Sequence, residues 1–221
     1  MRKTFTAGVL LSFLLSLAVN GQNIKDRDGN IYKIVRYGIQ QWTATSLDVT
    51  HFRNGDEIPQ AKTEEEWANA ATAGKPAWCF YDNNPENGKI YGKLYNWYAI
   101  NDKRGLAPEG WHVPANADWT TLVKNLKGVD VAGLKLKGAS VWKAKKGTDD
   151  FGFNALPGGY RDPDGKFREL GKTCKFWSNS VPVDVKPSNK IYSLTLSDNN
   201  VEVKFLQEEK GTGISLRCVK D

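Results

Sequence analysis

The chain has few of the side chains on which catalysis and metal binding usually rest. Only two of its 221 residues are histidine, His51 and His112, and only three are cysteine. No HExxH, CxxC, GxSxG or GxxxxGK[ST] pattern occurs. The signatures of zinc proteases, dithiol redox enzymes, elbow-type hydrolases and P-loop nucleotide binders are therefore missing. Nothing in the spacing of His51, His112 and the cysteines recommends a zinc site. Cys79, Cys174 and Cys218 suit one disulfide and one free thiol in an exported protein, with three pairings open, and no disulfide open as well. A clustered basic stripe is also lacking. The formal charge is +6, and the densest patch, Lys143-Ala144-Lys145-Lys146, reads as solvated surface, which argues against a nucleic-acid partner.

Long apolar runs are scarce too, and the one present is N-terminal. Arg2 and Lys3 precede a run from Ala7 to Val19, and Val19-Asn20-Gly21 offers a small-residue cleavage point. This predicts a signal peptide over residues 1–21, too short and wrongly flanked to span a membrane. No cysteine follows it, so a lipoprotein anchor is not expected, and the mature chain carries no transmembrane segment. Its removal takes away Arg2 and Lys3 and no acids, lowering the formal charge from +6 to +4. The expected destination is outside the cell or at its surface, with the periplasm as another possibility. Residues 22–221 suit one large domain that can bury a sizeable core without disulfides.

Aromatic residues are plentiful, with 8 Trp, 8 Tyr and 9 Phe, alongside 21 glycines. That mixture predicts short strands and long, well-packed loops. Asp28-Gly29 between strand-like runs predicts a hairpin over residues 23–37, with a further strand from Ile39 to Trp42. Thr63-x-x-Glu66 is a capping-box signature and Gly74 a stop, which places a helix over 63–73. Trp119, Leu122, Val123 and Leu126 fall at i, i+3, i+4 and i+7, predicting a second helix with Asn116 as N-cap and Gly128 as stop. Pro157-Gly158-Gly159 and Asp164-Gly165 predict a bend and a hairpin. The stretches "KFWSNSVP", "KIYSLTLS", "NVEVKFLQ" and "GISLRCVK" each read as a strand, with a turn at Asp198-Asn199-Asn200. Hairpin, two helices and then an antiparallel run make the fold class α+β.

Candidate chemistry is sparse. His112, between Trp111 and Val113, reads as a residue that ties down a turn. Cys174 would need a depressed thiol pKa to act as a nucleophile, and its neighbours Lys172 and Lys175 argue for that only weakly. The loop "YDNNPENGKIYG" gathers hard oxygen donors, and Asp82, Asn84 and Glu86 are candidate calcium ligands there, although ordinary turns use the same residues. No other cofactor is indicated. Trp142, Tyr160 and Trp177 lie near Asp149, Arg161 and Asn179 in sequence, and such rings beside polar groups can stack on sugars, although each ring also suits a core.

Six segments in order, "DGNIYKIVRYGIQQWTATSL", "YGKLYNWYAIND", "APEGWHVPANADWTTL", "GFNALPGGYRDPDGKF", "FWSNS" and "SLRCVKD", resemble the Fibrobacter succinogenes major paralogous domain over about residues 24–221. The resemblance implies an exported or surface-associated bacterial protein of a family abundant in Bacteroidetes and Fibrobacter. More distantly, the pattern is similar to the formylglycine-generating enzyme fold and its C-type-lectin relatives. That likeness implies short antiparallel sheets, two short helices and long loops. Gly110-Trp111-His112-Val113-Pro114 with Trp119, and Leu216-Arg217-Cys218, carry it. Ala115 departs from the usual Ser or Thr cap, so the cap either shifts to Asn116 or is weaker. The copper-binding cysteine pair, the iron-binding histidine cluster and the lectin calcium motifs have no counterpart here. The resemblance therefore implies a non-enzymatic binding domain for a glycan or a surface protein, with Trp142, Asp149, Tyr160, Arg161, Trp177 and Asn179 on its loop face. The alternatives are a metal-dependent oxidase using Cys174 and Cys218, or a structural part of a surface assembly.

Overall fold

The computed structural model describes residues 23–182 and 189–221, so the expected signal peptide lies outside the described residues. The chain begins with β1 (Asn23–Lys25) and β2 (Ile31–Tyr37), an antiparallel pair with Asn23 opposite Lys33. Asp26 makes the turn between them: its Oδ1 accepts from the amides of Asp28 and Asn30, both at 2.9 Å, while Gly29 takes φ +91°. A second tight turn leads to β3 (Gln40–Thr43), with Val35 opposite Trp42. The hairpin and the following strand stand where the sequence puts them.

Helix α1 (Glu64–Ala73) closes both halves of its capping box. Thr63 Oγ1 accepts from the Glu66 amide at 3.1 Å, and the Glu66 carboxylate accepts from the Thr63 amide at 3.2 Å. Gly74 ends the helix at φ +65°, the left-handed conformation that costs glycine least. Next come β4 (Trp78–Cys79), a 3-10 turn (Tyr81–Asn83), α2 (Pro85–Tyr91), β5 (Leu94–Tyr95), α3 (Trp97–Ile100) and β6 (Trp111–His112). Helix α4 (Asn116–Asn125) buries Trp119, Leu122 and Val123 as the periodicity requires. Asn116 is not its cap, however. Ala115 occupies that position with no side-chain acceptor, so only the return half of a box exists, from the Ala115 amide to Asp118 Oδ2 at 2.8 Å. The Asn116 amide instead donates to Ser180 Oγ at 2.9 Å.

Helix α5 (Val129–Leu136) follows directly, and with α2 and α3 it brings the described α-helices to five where the sequence predicted two. The rest is β: β7 (Tyr160–Arg161), β8 (Phe167–Arg168), β9 (Thr173–Trp177), β10 (Lys190–Ser197), β11 (Val203–Glu209) and β12 (Val219–Lys220). The hairpin predicted around Asp164-Gly165 is the β7–β8 pair. "GISLRCVK" is a regular strand only at its end, with Ile214 and Ser215 making isolated bridges to Tyr95 and Phe176.

The strands form a five-stranded sheet in the order β1-β2-β3-β12-β6, a three-stranded sheet β11-β10-β9, and two two-stranded sheets, β4-β5 and β7-β8. The described part is thus α+β, built from short antiparallel sheets. Aromatics bind the layers together. Trp42 and Trp119 lie 4.5 Å apart, and Trp119 stacks on Phe176 at 5.8 Å, which locks α4 between the two larger sheets. Fully burying one such side chain stabilises by roughly 1.5–3 kcal/mol. The three cysteines are free and buried.

Candidate functional site

The amide-capped turn of the first hairpin also begins a buried polar network. Tyr32 alternates inward from β2, and its hydroxyl donates to Asp26 Oδ2 at 2.5 Å and accepts from the Asp48 amide at 3.0 Å. Asn30 Nδ2 donates to Asp26 Oδ2 at 2.8 Å and to the Asp48 carbonyl at 3.1 Å. Lys93, itself buried, donates to Asp48 Oδ1 at 2.5 Å and lies over Trp78 at 4.8 Å. Burial, followed by the hydrogen bond to the Asp26 carboxylate, pushes the Tyr32 phenol well above its usual range. Tyr32 therefore stays neutral and serves as a fixed donor.

This network stiffens one side of a cleft of about 310 Å³, near the lower end of the size that small ligands occupy. Asn30, Ile31 and Tyr32 form one wall, and Thr45, Ser46 and Asp48 continue it. The C-terminal half of α2, with Lys89, Ile90 and Tyr91, stands opposite, and Asn154, Leu156 and Arg217 complete the lining. Ile31 and Ile90 are exposed, so the cleft has an apolar rim around hydrogen-bonding groups.

Arg217 reaches the cleft because the chain around it is extended. Alternation sends Leu216 and Cys218 into one apolar cluster and the guanidinium the other way, over Phe153 at 4.5 Å and Phe176 at 5.2 Å. Its Nη1 donates to the Thr43 carbonyl at 2.8 Å and its Nη2 to the Asn154 carbonyl at 3.3 Å, while Nε has no partner among the described residues. Burial pulls its pKa down to about 10, so it remains charged at neutral pH.

Residues 35–220 match the Fibrobacter succinogenes major domain. The chain belongs to that family. No curated protein and no solved structure matches it. Within this family member, the loop-face residues expected from sequence do not share one surface. Trp142 is 1% exposed, donates to the Ala155 carbonyl at 2.8 Å and packs in the cluster around Trp119. Trp177 is fully buried in a different cluster and donates to the Tyr95 carbonyl at 2.7 Å. Arg161 is also fully buried, held by the carbonyls of Gly165, Ala61 and Thr63 between Trp67 and Phe167. Neither those rings nor that guanidinium offers a face to a ligand. Asp149 Oδ1 accepts from the Asn154 amide at 2.6 Å, and burial raises its carboxyl above the usual range. Tyr160 is half-buried with Lys175 Nζ 3.9 Å from its ring centroid, and Asn179 is exposed.

The expected calcium donors are also dispersed. Asn84 Oδ1 caps α2 by accepting from the Glu86 amide at 3.0 Å, Glu86 pairs with Lys89 at 2.7 Å, and Asp82 sits in the preceding turn at φ +52°. Among the described residues, no group of three or more His, Cys, Asp and Glu side chains could hold a metal ion. Both ring nitrogens of His112 face carboxylates, Nδ1 to Asp221 at 2.7 Å and Nε2 to Asp118 at 3.3 Å, so this residue clamps the start of α4 to β12, as a turn-tying role requires. Burial pushes the thiols of Cys79, Cys174 and Cys218 up to about 12, which leaves them protonated.

Sequence reasoning missed Asp26, Asp48, Lys93 and Arg217. For Arg217 a signal existed: a lone cation alternating with Leu216 and Cys218 in an otherwise apolar strand.

Proposed function

We propose that this family member is an exported, non-enzymatic binding module that holds a glycan in the cleft between β2 and α2. The lining carries that reading. Ile31, Ile90, Tyr91 and Leu156 suit the apolar faces of a sugar ring, and Asn30, Ser46, Asp48 and Asn154 suit its hydroxyl rim. The Asp26–Tyr32–Asp48–Lys93 network supports it further, because a rigid wall reduces the ordering cost of binding. The high thiol pKa values favour a binding role over oxidase chemistry at Cys174 and Cys218.

A C-type-lectin-like or formylglycine-enzyme-like topology is part of the same proposal. Its support is the closing strand β12 between β3 and β6, together with the long connections between short sheets. An experimental structure that superposes on neither fold would remove this part.

The test begins with secretion of the full chain by a bacterial host. The recovered protein should start at Gln22 and bind members of a glycan array. Tyr91→Ala and Asn154→Ala should each weaken that binding about tenfold or more, roughly 1.4 kcal/mol. A blank array with stable capture of a surface protein would replace the glycan by a protein ligand. Retention of the leader in the cytoplasm would refute export.

A further inference from the structure

We infer that the cleft selects an acidic sugar, one whose carboxylate is received by Arg217. This rests on the glycan reading above and adds the charge of the ligand. The charges of the lining are unevenly compensated. Asp48 is neutralised by Lys93 at 2.5 Å, and Lys89, on the exposed rim, by Glu86 at 2.7 Å. Arg217 has no carboxylate within ion-pair distance among the described residues. Asp149, the acid it senses electrostatically, spends Oδ1 on the Asn154 amide.

A guanidinium carries five N–H donors, and Arg217 has carbonyl bonds from only Nη1 and Nη2. The bond to Asn154, which also lines the cleft, is the longer of the two at 3.3 Å, against 2.8 Å to Thr43. Removing a cation from water without a counterion is unfavourable. Here that cost is already incurred on folding, with Arg217 at 2% exposure. An arriving carboxylate loses only its own hydration and meets a donor fixed between Phe153 and Phe176. A neutral sugar gains nothing comparable, so the discrimination follows from the floor of the cleft rather than from its rim.

The contrast is measured by calorimetry with two probes, digalacturonic acid and its neutral counterpart digalactose, on the full mature chain. The acid should bind at least tenfold more tightly, and the difference should shrink as salt rises. Asn154→Asp adds a carboxylate at the exposed lip of the cleft. It should abolish the preference, read as the ratio of the variant's own affinities for the two probes. Arg217→Met should do the same, and if it fails to fold, the Asn154→Asp result decides alone. Equal affinity of the unmodified protein for both probes overturns the charge inference and leaves the glycan reading standing. Binding of neither probe, with a carboxylate-bearing peptide bound instead, overturns both. A preference that survives Asn154→Asp overturns the assignment to Arg217.

Discussion

Arg161 and Arg217 are both buried guanidiniums, and they differ in how much of their hydrogen-bonding capacity is used. Arg161 donates from Nε, Nη1 and Nη2 to three carbonyls, of Gly165, Ala61 and Thr63, at 2.7, 3.0 and 2.8 Å. It stitches β7 to the loop before α1, and Trp67 and Phe167 fix its plane. Arg161→Met keeps most of the volume and orphans the Ala61 and Gly165 carbonyls, at about 1–3 kcal/mol for each buried group left unpaired, while the Thr63 carbonyl keeps its bond from the Trp67 amide at 3.2 Å. A loss of at least about 2 kcal/mol in urea unfolding is expected, and a loss below about 1 kcal/mol would show that water satisfies the carbonyls. Arg161 is expected as a ligand contact because it neighbours Tyr160 in sequence on the loop face that the family resemblance implies. Whether such a side chain faces inward depends on Ala61 and Thr63, about a hundred residues earlier, and no local pattern encodes that. Trp142 and Trp177 were misplaced for the same reason, since a ring near polar neighbours in sequence is not thereby near them in space.

Helices show where local chemistry is legible. The Thr63–Glu66 box and Gly74 delimit α1 because capping is a contact between residues three apart. The apolar face of α4 repeats often enough to be read. With four residues, α3 is too short for any period to register, and α2 and α5, with seven and eight, give barely two turns. Only the Asn84-Pro85 cap of α2 was available as a signal, and those residues read equally well as metal donors. Helix α4 retains a defect at its start, where Ala115 has the extended N-cap conformation, φ −80° and ψ 167°, without an acceptor. Ala115→Ser should supply that acceptor to the first turn and stabilise the protein by about 1 kcal/mol. A thermal midpoint that does not rise would mean that the Ser180 contact already compensates.

At the scale of the whole molecule, the two ends of the described chain are held in one sheet. Val219 pairs with Trp42 of β3 and with His112 of β6, so a two-residue strand bridges segments 70 residues apart. His112 adds its ion pair to Asp221, and the Asp221 amide donates to the Gly110 carbonyl at 3.1 Å. Deleting Val219–Asp221 exposes the facing edges of β3 and β6 and removes the clamp. Loss of the cooperative unfolding transition is the expected outcome, read by circular dichroism against urea. A truncated chain that still unfolds in one transition with an unchanged midpoint would contradict a central role for β12. The cleft was illegible from sequence on the same ground: its walls come from residues near 30, 46, 90, 155 and 217.

The position of β12 also bears on how the protein is made. It is translated after every other described strand, yet it lies inside the sheet rather than at its edge. While the ribosome is still at work, β3 and β6 have no partner on their facing edges, and Leu216 and Cys218 are absent from the core they later fill. The five-stranded sheet therefore closes only once Val219 and Lys220 have been made.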